Sequence, residues 1–336
     1  MNSMTSGMTG GVTTRVIEMR QPGGPAMLQL ADRQIAAPGP GEVLLRQHAA
    51  GVNFVDIYHR TGLYPLPVWP AVPGIDGAGV VAAIGAEVED VAPGDRVAWM
   101  GQPVGGYAEW RLLPAAKLVK LPQDIATDVA AAAMTRGITA HMLLCHVYPV
   151  GPGSTVLVHA AAGGLGLILT QWAKRLGATV IGTVGSPAKG ELARRHGIDH
   201  ALLYRDRDFV TDLRALTDGA GVDYVIDGIG GDTLRRSLDC VRPFGMVASI
   251  GQAGGPIAPL DVFEIGPRRS LTFARPSVMA YAGNPHLYGR ATRAVLAELQ
   301  AGLRIEIGAR YPLAAAAAAQ CALEAGSTTG SILLEM

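Results

Sequence analysis

A turn rich in small residues is the first feature of this sequence that could do chemistry. The run Val156–Gly166 reads VLVHAAAGGLG, a hydrophobic segment that leads through a turn into a helical pattern. Ala161, Gly163 and Gly166 occupy the three glycine places of the fingerprint G-x-G-x-x-G. The second place lets backbone approach a pyrophosphate, the third permits close helix packing, and the helix N-terminus offers N–H groups. The run predicts dinucleotide binding; a structural turn is the alternative.

The segment about 20 residues further on bears on which dinucleotide binds. An NAD site usually presents Asp or Glu there to bind the ribose hydroxyls. This chain has TVGSPAK at Thr183–Lys189, without a carboxylate. Gly185 and Ser186 leave room and Lys189 supplies a cation, so the segment favours a 2′-phosphate and hence NADPH. A helix N-cap at Ser186 with a solvated Lys189 is the alternative, and both interpretations can hold together.

Alternating strand and helix patterns surround these motifs after Pro122. Short apolar strands that alternate with helices predict βαβ units and a parallel sheet. The predicted strands are Thr155–His159, Thr179–Thr183, Ala201–Tyr204, Asp223–Asp227 and Met246–Ile250. The predicted helices are Leu165–Leu176, Ala188–His196, Phe209–Leu216 and Asp232–Cys240.

The regions on either side have a different character. From Thr14 to Ala116, short β-branched runs separated by Gly/Pro turns predict a mostly antiparallel β unit. Past Leu271 we expect two helices and a final strand that return to this first domain. The expected β strands are Val43–Leu45, Gly79–Ile84, Arg96–Met100 and Ala108–Leu113, and the late elements are Gly289–Gln300, Leu313–Leu323 and Gly330–Glu335.

Composition excludes several classes of protein. The 336 residues carry 28 basic and 28 acidic side chains, which argues against binding of nucleic acid or anionic membrane by bulk charge. No charged residue occurs from Gly137 to Ala173, but Gly and Pro residues interrupt this stretch, so a membrane span is not expected. The three cysteines lie far apart and fit a reducing compartment. We expect a cytoplasmic protein with a disordered tail at 1–11.

Several motifs in order resemble the NADPH:quinone oxidoreductases, the zeta-crystallin-like branch of the zinc-free medium-chain dehydrogenase/reductases. They are AGVNFVDIY at Ala50–Tyr58, TGLYP at Thr61–Pro65, PGDRV at Pro93–Val97, HAAAGGLG at His159–Gly166 and RPS at Arg275–Ser277. The resemblance implies an α/β fold with a GroES-like, mostly β catalytic domain, a doubly wound Rossmann domain, a cleft between them and a homodimer. The corresponding boundaries are 12–138 for the catalytic domain, 139–274 for the NADPH-binding domain and 275–336 for a C-terminal segment that completes the catalytic domain.

Site residues follow from the resemblance, position by position. It implies that Asn53 and Tyr58 lie at the nicotinamide end, and that Gly164 and Leu165 lie on the pyrophosphate beside Gly163. The adenosine phosphate would be surrounded by Gly185, Ser186, Lys189 and Tyr204. Later cofactor contacts would be Ile229, Ile250, Gly251 and Gln252, with Pro276, Ser277 and Val278 near the nicotinamide.

Two departures from related chains stand out. Related chains often carry a cofactor-contacting Arg near the C-terminus, whereas this sequence has EAGSTTG at Glu324–Gly330, which leaves one contact unaccounted for. Zinc-containing relatives have a Gly-His-Glu stretch where this chain has PGIDG, and no Cys precedes Cys145, so no metal is expected. His141, Cys145 and His146 have helical spacing, for which a core helix is the favoured interpretation over a metal site.

These features lead to a functional hypothesis. Asn53 and Tyr58 would orient the nicotinamide and the acceptor, while Tyr64 would line the acceptor pocket and donate a hydrogen bond to a quinone oxygen. Tyr64 as a packing aromatic is an equal alternative, and Asp56 is expected to brace its helix. The alternative activities are reduction of an enoyl thioester or enone, and a non-catalytic NADPH-binding protein that is structural or RNA-associated.

Overall fold

The computed structural model describes residues 11–336, which divide into two compact units. The first unit contains residues 11–135 and 307–336, and the second contains residues 136–306. The tail expected at 1–11 lies outside the described residues except for Gly11.

The first part of the chain is rich in strands. Two short 3-10 turns, Pro25–Met27 and Ala115–Lys117, interrupt it. Its strands and helices are β1 (Val12–Glu18), β2 (Gln29–Ile35), β3 (Glu42–Val52), α1 (Phe54–Thr61), β4 (Asp76–Ile84), β5 (Arg96–Met100), β6 (Trp110–Pro114), β7 (Val119–Lys120) and α2 (Thr127–His141).

Strands and helices then alternate. A π-helical turn, Met142–Val147, precedes β8 (Thr155–Val158), α3 (Gly164–Arg175), β9 (Thr179–Val184), α4 (Pro187–Arg195), β10 (His200–Leu203), α5 (Phe209–Leu216), β11 (Val222–Asp227), α6 (Gly231–Leu238), β12 (Val241–Ser249), α7 (Val262–Ile265), β13 (Thr272–Ala274), α8 (Val278–Gly283) and α9 (Pro285–Gln300). The chain ends with β14 (Ile307–Pro312), a 3-10 turn (Leu313–Ala315), α10 (Ala316–Glu324) and β15 (Ser331–Glu335).

The sheet of the first unit joins early and late parts of the chain. Its order is β14-β15-β3-β4-β5-β7, and β6 also pairs with β3. All neighbours are antiparallel except β14 and β15, which confirms the predicted mostly antiparallel β unit. Ile332 of β15 lies opposite Val52 of β3, immediately before α1. The late strand therefore supports the start of α1 from within the sheet.

The second unit has a parallel sheet in the order β10-β9-β8-β11-β12-β13. This arrangement confirms the predicted βαβ units. The uncharged stretch from Gly137 to Ala173 contains the end of α2, the π-helical turn, β8 and most of α3. Within residues 11–336, none of the helices combines the length and apolar character needed to cross a membrane.

The division of the chain differs from the boundaries drawn on the sequence at 138/139 and 274/275. Residues 275–306 belong to the second unit because their helices pack there. The hydroxyl of Tyr281 lies 3.0 Å from Nδ1 of His141. A methyl group added at Gly137 would lie 2.7 Å from Cγ2 of Val295, so α2 and α9 touch closely at this glycine. The chain returns to the first unit only at Ile307.

Close backbone packing shapes the turn between β8 and α3. A methyl group at Gly166 would lie 2.4 Å from the carbonyl oxygen of Ala160 and 2.7 Å from Cα of Ala161. Ala161, which takes the first glycine place, is tolerated because Gly182 on β9 has no side chain; a methyl there would lie 2.5 Å from Cβ of Ala161. The missing first glycine is thus compensated on the neighbouring strand.

Two alanine substitutions in this turn should have different effects on stability. Gly166→Ala forces backbone atoms apart, whereas Gly163 has φ −79° and ψ 167° and its added methyl meets one carbonyl oxygen at 3.2 Å. Since overpacking costs about 1–3 kcal/mol, we expect Gly166→Ala to lower the apparent melting temperature by roughly 3–10 °C. Gly163→Ala should stay within about 2 °C of the wild type in the same calorimetric scan. Equal melting of the two variants would contradict this account of the packing.

Candidate active site

The N-terminus of α3 is open toward the glycine turn. Gly163 is the N-cap of α3 and has no side chain with which to satisfy the first N–H groups of the helix. Gly164 and Leu165 are the first two residues of α3. Because unsatisfied N–H groups and the helix dipole favour anions, this end of the helix suits a phosphate group. The geometry fits the pyrophosphate contact that the sequence predicts for Gly163, Gly164 and Leu165.

The tip of β9 brings together the residues predicted around the adenosine phosphate. Ser186 caps α4, and its hydroxyl oxygen accepts a hydrogen bond from the backbone N–H of Lys189 at 3.3 Å. A methyl group at Gly185 would lie 3.2 Å from the hydroxyl of Tyr204. The N-cap interpretation of Ser186 is therefore confirmed, and the ring of Tyr204 lies directly beside Gly185.

A second cation lies at this tip. The position of a methyl group on Gly185 is 3.3 Å from Nε of Arg205. Burial lowers the pKa of Lys189 from its ordinary value, and the nearby charge of Arg205 lowers it further. Two cations close together favour a bound anion. Arg205 was not predicted; its signal in the sequence was its place directly after Tyr204, at the end of the strand next to β9.

The loops after β11 and β12 meet at the same edge of the sheet. Oδ1 of Asp227 accepts hydrogen bonds from the backbone N–H groups of Ile229 and Gly230 at 2.8 and 2.9 Å. The N–H of Ile250 donates to the carbonyl of Asp227 at 2.7 Å. A methyl group at Gly230 would lie 2.8 Å from Cα of Gln252, so the loops touch. The predicted contacts Ile229, Ile250, Gly251 and Gln252 thus form one wall.

The segment after β13 joins this wall. Nη1 of Arg275 donates to the hydroxyl of Ser249 at 2.6 Å and to the carbonyl of Gly251 at 3.3 Å. Ser277 caps α8 and accepts a hydrogen bond from the N–H of Ala280 at 3.3 Å. Pro276, Ser277 and Val278 therefore follow the carboxyl end of β13. Ligands of open α/β sheets bind beyond these carboxyl ends.

In the first unit, α1 begins at a hydrogen-bonded asparagine. Asn53 is the N-cap of α1, and its backbone N–H donates to Oδ2 of Asp56 at 2.8 Å, which confirms the bracing role of Asp56. The Nδ2 of Asn53 donates to Oδ1 of Asp76 at 3.1 Å. The N–H of Gly51 donates to the same oxygen at 3.1 Å. Asp76 thereby fixes the amide of Asn53 with its nitrogen toward the carboxylate, and the side chain of Asn53 is also part of the capping box of α1.

A tyrosine and a glutamine extend this buried network. The hydroxyl of Tyr107 donates to Oδ2 of Asp56 at 3.1 Å, and Nε2 of Gln320 donates to that hydroxyl at 3.4 Å. Burial, together with the negative charge of Asp56, raises the pKa of Tyr107 well above its usual value, so this hydroxyl stays a neutral donor. Asp76, Tyr107 and Gln320 were missed because their partners are distant in sequence.

Tyr58 and Tyr64 form an aromatic pair beside Asn53. Their ring centroids are 5.2 Å apart in an edge-to-face arrangement, and the N–H of Tyr64 donates to the carbonyl of Tyr58 at 3.1 Å. Tyr58 is buried, whereas 39% of Tyr64 is exposed. The ring of His59 lies 6.5 Å from that of Tyr64, and burial lowers the pKa of His59, so this imidazole is neutral near pH 7. Tyr64 thus packs on Tyr58 while part of it remains open to a ligand.

The two departures noted in the sequence have structural counterparts. Glu324 forms an ion pair with the buried Arg60 at 2.6 Å, and Gly326 has φ 60° with open space around it. Nδ1 of His141 lies within hydrogen-bond distance of the Tyr281 hydroxyl, as described above. Among residues 11–336, no group of three or more His, Cys, Asp or Glu side chains is placed to hold a metal ion.

Asn53, Tyr58 and Tyr64 lie in the first unit, and the other predicted site residues lie in the second. Those of the second unit all follow the carboxyl ends of its strands, at the turn after β8 and at the ends of β9, β10, β11, β12 and β13. Residues that are up to about a third of the chain apart in sequence therefore share one edge of a sheet.

Comparison with known proteins agrees with this geometry. Residues 39–123 match the family described as alcohol dehydrogenase GroES-like domain, and residues 164–294 match the family described as zinc-binding dehydrogenase. A quinone oxidoreductase of Pseudomonas aeruginosa is 44% identical over 93% of this chain and 96% of its own length. A 2-haloacrylate reductase of a Burkholderia species is 43% identical over the same shares of both chains.

A solved structure shares the fold at full length. The quinone oxidoreductase of Escherichia coli, crystallised as a complex with NADPH, superposes with a TM-score of 0.92 and is 36% identical over 96% of this chain and 100% of its own. The match therefore extends over both units and includes the glycine turn. The chain belongs to the quinone oxidoreductase family of the medium-chain dehydrogenase/reductase superfamily.

Proposed function

We propose that this protein is an NADPH-dependent quinone reductase that transfers a hydride from NADPH to a quinone without a metal. The observation that carries the proposal is the tip of β9, where Lys189 and Arg205 lie close to Gly185 and no carboxylate takes the place of the usual ribose ligand. This arrangement favours a 2′-phosphate over a free 2′-hydroxyl. The family relationship supplies the acceptor class.

The chain's residues fit NADPH at both of its phosphate groups. The uncapped start of α3 would hold the pyrophosphate through the N–H groups of Gly164 and Leu165, beside Gly163. Gly185, Ser186, Lys189 and Tyr204, with Arg205, would surround the adenosine phosphate. The wall formed by Ile229, Ile250, Gly251 and Gln252, and the segment Pro276, Ser277 and Val278, would line the remainder of the coenzyme. NADPH, when bound, supplies the hydride that reduces the acceptor.

Residues of the first unit would orient the nicotinamide and the acceptor. Asp76 and the capping box of α1 hold the side chain of Asn53 in one orientation, in which it would orient the nicotinamide. Tyr58 would contact the nicotinamide. Tyr64, partly exposed and supported by Tyr58, would donate a hydrogen bond to the quinone oxygen on which negative charge develops.

Steady-state kinetics with several acceptors test the activity. We expect the purified protein to oxidise NADPH under anaerobic conditions when 1,2- or 1,4-naphthoquinone is supplied as the electron acceptor. The kcat/KM for a quinone should exceed that for an enoyl thioester or 2-chloroacrylate by at least about tenfold, because quinone reduction needs little acid–base chemistry from the protein, whereas alkene reduction needs a proton donor beside the reacting carbon. The absorbance of NADPH provides the measurement.

Each other outcome has a definite meaning. Turnover of the enoyl thioester or of 2-chloroacrylate without quinone turnover would replace the proposed activity by alkene reduction. Tight NADPH binding without turnover of any acceptor would indicate a non-catalytic NADPH-binding protein.

Tyr64→Phe should retain NADPH affinity and lose about tenfold in kcat/KM for the quinone, because it loses one hydrogen bond to the reacting oxygen.

Coenzyme preference tests the phosphate assignment. Lys189→Ala and Arg205→Ala should each raise the Kd for NADPH by roughly 10- to 100-fold, because each removes a charged hydrogen bond to the 2′-phosphate. The Kd for NADH should change by less than about twofold, since NADH lacks that phosphate. Arg194→Ala is the matched control: Arg194 lies on the same helix α4, is exposed and pairs with Glu191 at 3.2 Å. An unchanged ratio of the two Kd values in both variants would show the assignment to be wrong.

We also propose that the protein is a homodimer joined through the edge of the second unit's sheet. β13 is the last strand of that sheet and pairs with β12 on one side. Three large apolar side chains flank it, Phe244, Val262 and Phe263, with 81%, 78% and 61% of their surfaces exposed. An open strand edge beside apolar side chains can pair with the same edge of a second copy about a twofold axis.

Light scattering after size-exclusion chromatography tests the dimer. The wild type should elute at twice the chain mass, and Phe263→Glu should shift the protein toward the monomer because it places a charge in the interface. Leu216→Glu alters an apolar residue of the same unit that is 44% exposed on α5, and it should remain dimeric. A monomeric wild type would contradict the proposal.

We infer that the protein works in the cytoplasm. Cys145, Cys240 and Cys321 are all free thiols, as a reducing compartment maintains them. Burial raises the pKa of the Cys240 thiol to about 12, which keeps it protonated and unreactive.

A further inference from the structure

A chain of four buried polar side chains lies beneath the glycine turn of the second unit. Nδ1 of His159 is 2.9 Å from the hydroxyl of Thr183, and Nε2 of His159 is 2.9 Å from the hydroxyl of Ser237. The hydroxyl of Ser237 in turn donates to Oδ2 of Asp227 at 2.8 Å. All four side chains are buried.

The hydrogen bonds among these four side chains all run in one direction, with each group donating to the next from Thr183 to Asp227. Ser237 has a single hydroxyl proton, which goes to the carboxylate of Asp227 or to the carbonyl of Thr233 at 2.9 Å. In both cases the oxygen of Ser237 must accept from Nε2–H of His159. Nδ1 then has no proton and accepts from the hydroxyl of Thr183. Burial lowers the pKa of His159, consistent with a neutral imidazole in the Nε2–H tautomer.

The four hydrogen-bonded side chains connect strand ends that carry the proposed NADPH contacts. His159 directly follows β8, Thr183 lies near the end of β9, and Asp227 ends β11. The remaining oxygen of Asp227, Oδ1, holds the N–H groups of Ile229 and Gly230. The four hydrogen-bonded side chains therefore link the loop that carries Ile229 to the turn that carries Gly163.

The turn itself needs such support. Ala160, next to His159, has φ 51°, a left-handed conformation that a residue with a Cβ rarely adopts. Backbone hydrogen bonds flank it: the N–H of His159 donates to Ile226 at 3.2 Å, and that of Ala161 donates to Thr183 at 3.1 Å. The N–H of Gly163 donates to the carbonyl of Ala160 at 2.9 Å and closes the turn. A fixed His159 holds this disfavoured conformation in place.

We propose that Thr183, His159, Ser237 and Asp227 form a hydrogen-bonded chain that positions the glycine turn and the Ile229 loop for NADPH. They are positioning residues, which act on the coenzyme through the backbone rather than by touching it. The proposal rests on NADPH binding as proposed above. It predicts that a hydrogen bond, and not the shape of the side chain, at position 183 determines coenzyme affinity.

Two substitutions at Thr183 separate hydrogen bonding from packing. Thr183→Val keeps the shape and removes the hydroxyl, whereas Thr183→Ser keeps the hydroxyl and removes a methyl group. We expect Thr183→Val to raise the Kd for NADPH by roughly five- to tenfold and Thr183→Ser to change it by less than about twofold, measured by NADPH fluorescence. If the side chain served only as packing, the serine variant would be the weaker binder.

Two controls make the result specific. Thr170→Val changes another buried threonine of the unit, whose hydroxyl has no hydrogen-bond partner within residues 11–336, and it should leave the Kd for NADPH unchanged. Adenosine 2′-monophosphate reaches only the tip of β9, so its Kd should be the same for wild type and both Thr183 variants. Weaker binding of this fragment to Thr183→Val would indicate general damage to the sheet and overturn the positioning role.

The tautomer provides an independent readout. Nitrogen NMR of His159 in the wild type should show a protonated Nε2 and an unprotonated Nδ1 near neutral pH, and an Nδ1–H tautomer would overturn the proposed direction of the chain. Wild-type protein that does not bind NADPH would contradict the proposed function and this inference with it. Wild-type protein that binds NADPH, with equal Kd values for the two Thr183 variants, would contradict the positioning role alone.

Discussion

The approach of α3 to the turn that precedes it is the constraint on which the second unit depends. With no side chain at Gly166, backbone lies against the carbonyl of Ala160, and the first turn of α3 then faces the carboxyl edge of the sheet. The conformation of Ala160 is disfavoured on its own, so neighbouring strands must hold it. Backbone bonds from β9 and β11, and the buried chain through His159, provide that support.

In the first unit, buried carboxylates fix the backbone at the start of α1. Asp56 and Asp76 are fully buried, and each accepts hydrogen bonds that fix the start of α1. A buried charge is tolerated only when it is well hydrogen-bonded, so such a network specifies one geometry for its members. Gln320 on α10 reaches the network through Tyr107, which ties a late helix to the segment that carries Asn53. Asn53, which is proposed to orient the nicotinamide, is thereby held by parts of the chain far from it in sequence.

Local charge, rather than overall charge, sets the proposed ligand. The chain has equal numbers of acidic and basic residues, yet Lys189 and Arg205 lie together at the tip of β9. Burial and then the charge of Arg205 lower the pKa of Lys189, and a phosphate dianion beside the two cations would offset their mutual repulsion. A methyl group at position 185 would lie 3.2 Å from the hydroxyl of Tyr204 and 3.3 Å from Nε of Arg205, so a glycine lets these side chains approach the tip.

The sequence by itself determined the element types, the two kinds of sheet, the glycine turn and the family, because hydrophobic period, turn residues and motif spacing are local properties. Most of the strands and helices that were predicted lie within a few residues of their predicted bounds, whereas no bounds were predicted for β1, β2, α1, β13 and β14. The Ser186 cap and the Asp56 brace are likewise local. Only the tertiary structure decided that 275–306 packs with the second unit, that Gly182 makes room for Ala161, and that Arg205 joins Lys189. The same holds for the partners of His159, Asp76 and Tyr107. These contacts join residues far apart in the chain, and strand order, which no local pattern encodes, brings them together.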